Sequence, residues 1–218
     1  MHNLHTIYEK LVEFFGYQRW WPTFSKNKKE KFIEICVGAI LTQNTAWKQV
    51  ETAIKKLREK NLLNQEKLEK VSFAELSSLI KNTGFYKEKA RKIKAFINFL
   101  KKNPYEKLKR LKLEEVRKKL LSVYGIGNET ADAILLYALD KPSFVIDNYT
   151  KRVFSRLLGI DFKSYEEWKD FFESNVKKDT FIYKEFHALI DELAKNYCKK
   201  KPICKGCPLN DLCKKNFK

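Results

Sequence analysis

The chain of 218 residues has only seven glycines, five prolines and three histidines, and its 27 acidic residues are outnumbered by 45 Lys and Arg. Each shortage excludes something. Gly and Pro are too few for a low-complexity linker, and no stretch alternates apolar with polar residues for long, as a half-buried strand does. No run approaches the ~18 apolar residues of a membrane span. The opening segment, MHNLHTIYEKLVEFFGY, lacks the uninterrupted apolar core of a secretion signal. His2, His5 and His187 have neither metal-ligand nor triad spacing, so none receives a catalytic role. The expectation is an intracellular, cytoplasmic (nucleoid-associated) monomer with no membrane partner. Five cysteines in such a chain mean metal ligation or reduced thiols rather than a disulfide framework.

What is present is positive charge and helical periodicity. A net charge of +18, spread along the chain rather than gathered in a tail, favours a polyanionic partner, nucleic acid before membrane. A merely lysine-rich surface is the alternative. KFIEICVGAIL places Phe32, Ile35, Cys36, Ala39 and Ile40 on one helical face, which makes Cys36 a core residue. VETAIKKLREKNLL repeats the pattern through Val50, Ile54 and Leu57. Ser72 with Glu75 and Ser164 with Glu167 have capping-box spacing. GFYKEKARKIKAFINFLKK predicts a helix opening at Gly84, and LEEVRKKLLSVYGIGNETADAILLYAL reads as helix, tight turn, helix. After Pro142 come a short apolar bridge, SFVID, and more helices to about residue 198. The fold class is all-α.

Four groups of residues can carry chemistry. Cys198, Cys204, Cys207 and Cys213 are spaced C-x5-C-x2-C-x5-C. Zinc sites usually pair two C-x2-C knuckles, whereas one C-x2-C between longer gaps suits a 4Fe–4S cluster; zinc and unligated thiols remain alternatives. Gly125 and Gly127 bracket Ile126 at a helix start, either as plain helix packing or as N–H groups offered to a phosphate. Asp147 emerges from an apolar stretch, either as an N-cap or as a partly desolvated carboxylate that stabilises a sugar cation or activates water. Trp20, Trp21 and Trp47 form an aromatic set; two adjacent Trp before Pro22 cannot share one buried helical face, so at least one is expected to line a surface or cleft on which a base can stack.

Together these residues resemble the helix-hairpin-helix DNA glycosylase superfamily, in its endonuclease III-like branch. LTQNT looks like the family's minor-groove loop, which implies DNA contacts by Gln43 and Asn44. VYGIGNETADAI looks like the hairpin, with Gly125, Gly127 and Thr130 on DNA, and VIDNYTKRVFSR like the catalytic segment, with Asp147 catalytic and Lys151 on DNA. The four cysteines match the family's terminal 4Fe–4S loop, with one gap of five residues where six is usual. The resemblance implies two helical lobes with damaged duplex DNA across their cleft. One lobe spans residues 28–141 with the hairpin at about 113–138, and the other combines 1–27 with 142–218. Bifunctional members carry a lysine where this chain has Glu129, which cannot form an imine. Lys118, Lys119 and Lys141 lie elsewhere in the pattern. The chain is therefore expected to be a monofunctional glycosylase. WWP followed by GAILTQNT and Trp47 resembles the 3-methyladenine DNA glycosylases, whose cationic alkylated purine suits an aromatic pocket. An oxidised-pyrimidine glycosylase with lyase activity, a mismatch glycosylase and a non-enzymatic iron–sulfur DNA-binding protein are the alternatives.

Overall fold

A computed structural model describes residues 3–25 and 27–217; His2 lies outside the described residues. The expected all-helical chain is what it shows, with no strand among the described residues. In order come α1 (Leu4–Phe15), α2 (Lys28–Leu41), α3 (Trp47–Glu59), α4 (Gln65–Lys70), α5 (Phe73–Leu79), a 3-10 turn (Lys81–Thr83), α6 (Tyr86–Lys102), α7 (Tyr105–Arg110) and α8 (Leu113–Leu121). They continue with α9 (Asn128–Ala133), which runs on into a π-helical turn (Ile134–Ala138), then α10 (Asn148–Leu158), α11 (Tyr165–Asn175) and α12 (Thr180–Asn196). No helix among the described residues is long and apolar enough to cross a membrane.

Side-chain caps set the helix starts. Asn27 accepts from the N–H groups of Lys29 and Glu30 at α2, and Asp179 from those of Phe181 and Ile182 at α12. Ser72 accepts from Glu75 at α5, and Ser164 with Glu167 closes a reciprocal capping box at α11. The α6 start differs by two residues from the sequence expectation. Gly84 (φ +66) is the turn, and Phe85, left-handed at φ +43, stands just outside the helix.

By its contacts the chain divides into two compact units, Pro22–Lys141 and Met1–Trp21 with Pro142–Lys218. In the first, α2 is the central element. Every residue from Phe32 to Leu41 is buried, so the helix is enclosed all round, where the sequence pattern predicts a single stripe. Phe24 and Ser25 belong to this unit because the Phe24 N–H donates to buried Glu34 (3.1 Å), Ser25 donates to Glu30 (2.8 Å), and the Arg58 guanidinium lies 3.8 Å over the Phe24 ring. Several lysines work inside this unit. A helix ends with carbonyls that lack intrahelical partners. Lys94 donates to the carbonyls of Leu68, Glu69 and Val71 at the C-terminal end of α4, and Lys141 to those of Lys109 and Leu111 at the C-terminal end of α7. Part of the lysine excess is thus helix capping rather than exposed charge.

The second unit is built on α12 and an aromatic core. Phe144 stacks on Phe172 (4.4 Å between centroids, 18° between planes), with Phe154 and Phe186 edge-on around them. Phe144, Val145 and Ile146 are the buried bridge that delivers the chain to α10. Buried Glu185 of α12 accepts from the backbone N–H groups of Gln18 (2.6 Å) and Arg19 (2.7 Å), which fixes the segment leading to Trp20 and Trp21.

Candidate functional site

In the first unit, residues 122–127 join α8 to α9. Arg117 on α8 makes a forked pair with fully buried Asp132 on α9 (Nε to Oδ1 2.9 Å, Nη2 to Oδ2 3.2 Å), pinning the two helices across the turn. Tyr124 donates to Glu88 of α6 (2.6 Å). The two glycines differ. Gly125 has φ +78, and a Cβ there would lie 2.3 Å from Lys92 Cγ, because the Lys92 stem crosses directly over it. Gly127 is extended (φ −92, ψ −177), caps α9, and a Cβ there would meet nothing within 4 Å. The fold needs Gly125, whereas Gly127 leaves an open face. Glu129 is exposed in the first turn of α9, where a negative charge suits the helix dipole.

Residues 42–46 form the loop after α2. Gln43 is half-buried: its Nε2 donates to Gly125 O and to Thr130 Oγ1, both at 3.0 Å, and its Oε1 accepts from Lys92 Nζ at 2.7 Å. Thr130 is itself buried. Asn44 is exposed and left-handed at φ +52. Beneath the loop, buried Lys89 donates to Leu41 O (2.8 Å), Thr83 O (2.8 Å) and Thr45 Oγ1 (2.5 Å). Burial, helped by the nearby Lys92 ammonium, pushes Lys89 down to about 8. Trp47, half-buried, opens α3. Sequence reasoning missed Phe85, which is 77% exposed. The available signal was an aromatic placed directly after a turn glycine at the start of a basic helix.

In the second unit, Asp147 caps α10, the first of its two sequence readings, with Oδ1 accepting from the Thr150 N–H at 2.7 Å. Its other oxygen, Oδ2, lies 3.9 Å from His187 Nε2. His187, Asp191 and Lys195 recur every fourth residue on α12, and Lys195 pairs with Asp191. Burial pushes the Asp191 carboxyl up, against the opposing pull of Lys195 and His187. His187 is the second residue that sequence reasoning passed over, because its partner is distant in the chain. The Trp20 and Trp21 rings meet at 4.7 Å between centroids, both half-buried. Trp47 belongs to the other unit. Lys151 is half-buried, with its ammonium 6.0 Å over the Tyr165 ring.

Cys198, Cys204, Cys207 and Cys213 all line one cavity of about 30 Å³ beside Arg156 and Phe217. Among the described residues no group of three or more Cys, His, Asp or Glu is arranged to hold a metal ion. The donor chemistry nevertheless fits a thiolate-bound cluster. Arg156 Nη1 lies 3.5 Å from Cys198 Sγ, and the Lys215 N–H donates to Cys213 Sγ at 3.3 Å. Burial, then the neighbouring thiols, push Cys207 and Cys213 up. Cys36 is fully buried in α2, as the sequence predicts, and burial pushes its thiol up as well.

Residues 37–178 match the HhH-GPD superfamily of base excision DNA repair proteins, and the chain belongs to that family of DNA glycosylases. It is 46% identical over 215 residues to MJ1434 of Methanocaldococcus jannaschii, a candidate DNA repair glycosylase, covering 96% of this chain and 95% of that one. The H. pylori 3-methyladenine DNA glycosylase MagIII, solved bound to 1,N6-ethenoadenine, is 28% identical, with a TM-score of 0.76 over 89% of this chain and 98% of that one. An endonuclease III–DNA complex shares the fold, with a TM-score of 0.80 at 21% identity over 97% of this chain and 94% of that one.

Proposed function

We propose that this DNA glycosylase hydrolytically removes an alkylated purine, 3-methyladenine or a close analogue, from duplex DNA without cutting the strand. The observation that carries the reading is Asp147. Its Oδ1 accepts from the Thr150 N–H at the start of α10, which orients the carboxylate, and Oδ2 faces His187 Nε2 at 3.9 Å. There it stabilises positive charge developing on the sugar and takes a proton from the attacking water as the base leaves with the C1′–N electron pair. A base flipped into an aromatic site pays a few kcal/mol in lost stacking. An alkylated purine is already cationic and gains more from the Trp20 and Trp21 faces than a neutral base does.

The absence of strand cleavage rests on Glu129, a residue that forms no imine. Lys141, a lysine close by in sequence, has its ammonium committed to two carbonyls. The turn at Gly127 and the start of α9 offer backbone N–H groups to a phosphate, and exposed Phe85 and Asn44 supply an apolar wedge and a polar filler beside the vacated base position. Cys198, Cys204, Cys207 and Cys213, which line one cavity, would hold a 4Fe–4S cluster, and the cluster would tie down the lysine-rich terminal loop. Asp147→Asn tests the reading. Base release should be lost while DNA binding persists; release at the wild-type rate would remove Asp147 from the reaction.

A further inference from the structure

The Gln43 amide has its polar atoms directed into the protein. Nε2 holds a carbonyl and a hydroxyl of the hairpin, Gly125 O and Thr130 Oγ1, and Oε1 is held by Lys92 of α6. Lys92 reaches Gln43 only by laying its stem across Gly125, where a Cβ would stand 2.3 to 2.7 Å from three of its carbons. The same loop is fastened a second time by buried Lys89, through Thr45 Oγ1 and Leu41 O. Thr45 Oγ1 also donates to Thr83 O (2.6 Å), in the turn that precedes Phe85. Loop, hairpin and Phe85 turn are thus joined through two internal ammonium groups and one amide.

We infer that Gln43 and Lys92 form an internal clamp that holds the loop after α2 at a fixed distance from the hairpin, and that neither is a DNA contact. Lys92 is a positioning residue for base flipping. This rests on the glycosylase reading and adds a mechanical requirement to it. The hairpin grips a phosphate, and the loop must present Asn44 at a set position relative to that grip. If the loop drifts, the duplex is still bound but the extruded base is no longer held. Geometry errors of about 1 Å near a reacting centre can cost on the order of 100-fold in rate. A clamp of this kind needs no exposed charge, which separates it from an ordinary basic DNA contact.

The test compares wild type with Lys92→Met, which keeps the stem over Gly125 and removes the ammonium, and with Gln43→Leu and the double variant. A lysine that touches phosphate contributes about 0.9 to the slope of log affinity against log salt. The clamp predicts an unchanged slope for Lys92→Met and undamaged-duplex affinity within about threefold. It also predicts at least tenfold faster amide hydrogen exchange at residues 42–46 in the free protein. Flipping of 2-aminopurine beside a lesion, read by fluorescence, should fall at least tenfold. The double variant should be no worse than the worse single one. A slope lowered by about one, or loop exchange unchanged in both single variants, overturns the clamp. Loop exchange and salt slope are read without base release, so a wild-type protein that releases no base would count against the glycosylase reading and leave the clamp standing or falling on its own.

Discussion

The two hairpin glycines should fail in opposite ways when each is replaced by alanine. At Gly125 the new side chain must adopt φ +78, which costs roughly 1–2 kcal/mol for an L-residue. It must also displace the Lys92 stem from 2.3 Å, and overpacking of that kind typically costs 1–3 kcal/mol. Taking about 3.5 kcal/mol as the middle of the sum, a chain of this size should lose about 7–14 °C in Tm. At Gly127 the backbone is ordinary extended chain with open space around it, so alanine costs the fold nothing and should add about 0.4–1 kcal/mol by restricting the unfolded chain. The same methyl group would stand between the backbone and a DNA phosphate. Losing one hydrogen bond to a charged oxygen, about 1.5–3 kcal/mol, should weaken binding by about 10- to 100-fold. The loss should be uniform across DNA sequences, because a phosphate contact reads none. Differential scanning calorimetry and fluorescence anisotropy on three unrelated duplexes separate the two effects. Unchanged affinity for Gly127→Ala, or an unchanged Tm for Gly125→Ala, would refute the division of roles.

Lys89 should make stability pH-dependent. Its native value of about 8 lies below the ordinary 10.5, so between those values the unfolded chain binds the extra proton. Stability from this group therefore rises with pH across the window and is lost as pH falls through about 8. Chemical denaturation of wild type and Lys89→Met from pH 7 to 10.5 should show that rise only in the wild type. Glu129→Lys should create strand-cleaving activity trapped covalently on DNA by borohydride; no trapped species would mean that position 129 does not reach the sugar. His187→Gln should slow base release roughly tenfold at unchanged DNA affinity, because it disturbs the placement of Asp147. Purified protein should show the broad visible absorbance of an iron–sulfur cluster, abolished in Cys207→Ser.

The sequence was informative where chemistry is local in the chain. Four cysteines within sixteen residues, a Gly-x-Gly turn and an Asp at a helix start announce themselves by spacing. Helix periodicity was equally local, although at α2 it predicts a stripe and the packing buries every side from Phe32 to Leu41. What could not be read were the pairings that folding makes over long separations. Gln43 meets Gly125 across 82 positions and Lys89 meets Leu41 across 48, and nothing in a lysine-rich string distinguishes an internal ammonium from a surface one. For the same reason charge counting treats Lys89, Lys94 and Lys141 as surface charge, when they close helix ends. His187 received no role from its sequence spacing because its relation to Asp147 is made by packing of α10 on α12.

The central claim is tested most directly on duplex DNA treated with a methylating agent. Free methylated bases would be quantified by chromatography, and strand breaks scored before and after hot alkali. The account predicts release of 3-methyladenine, with breaks only after alkali. Absence of methylated-base release, or breaks formed without alkali, would contradict it.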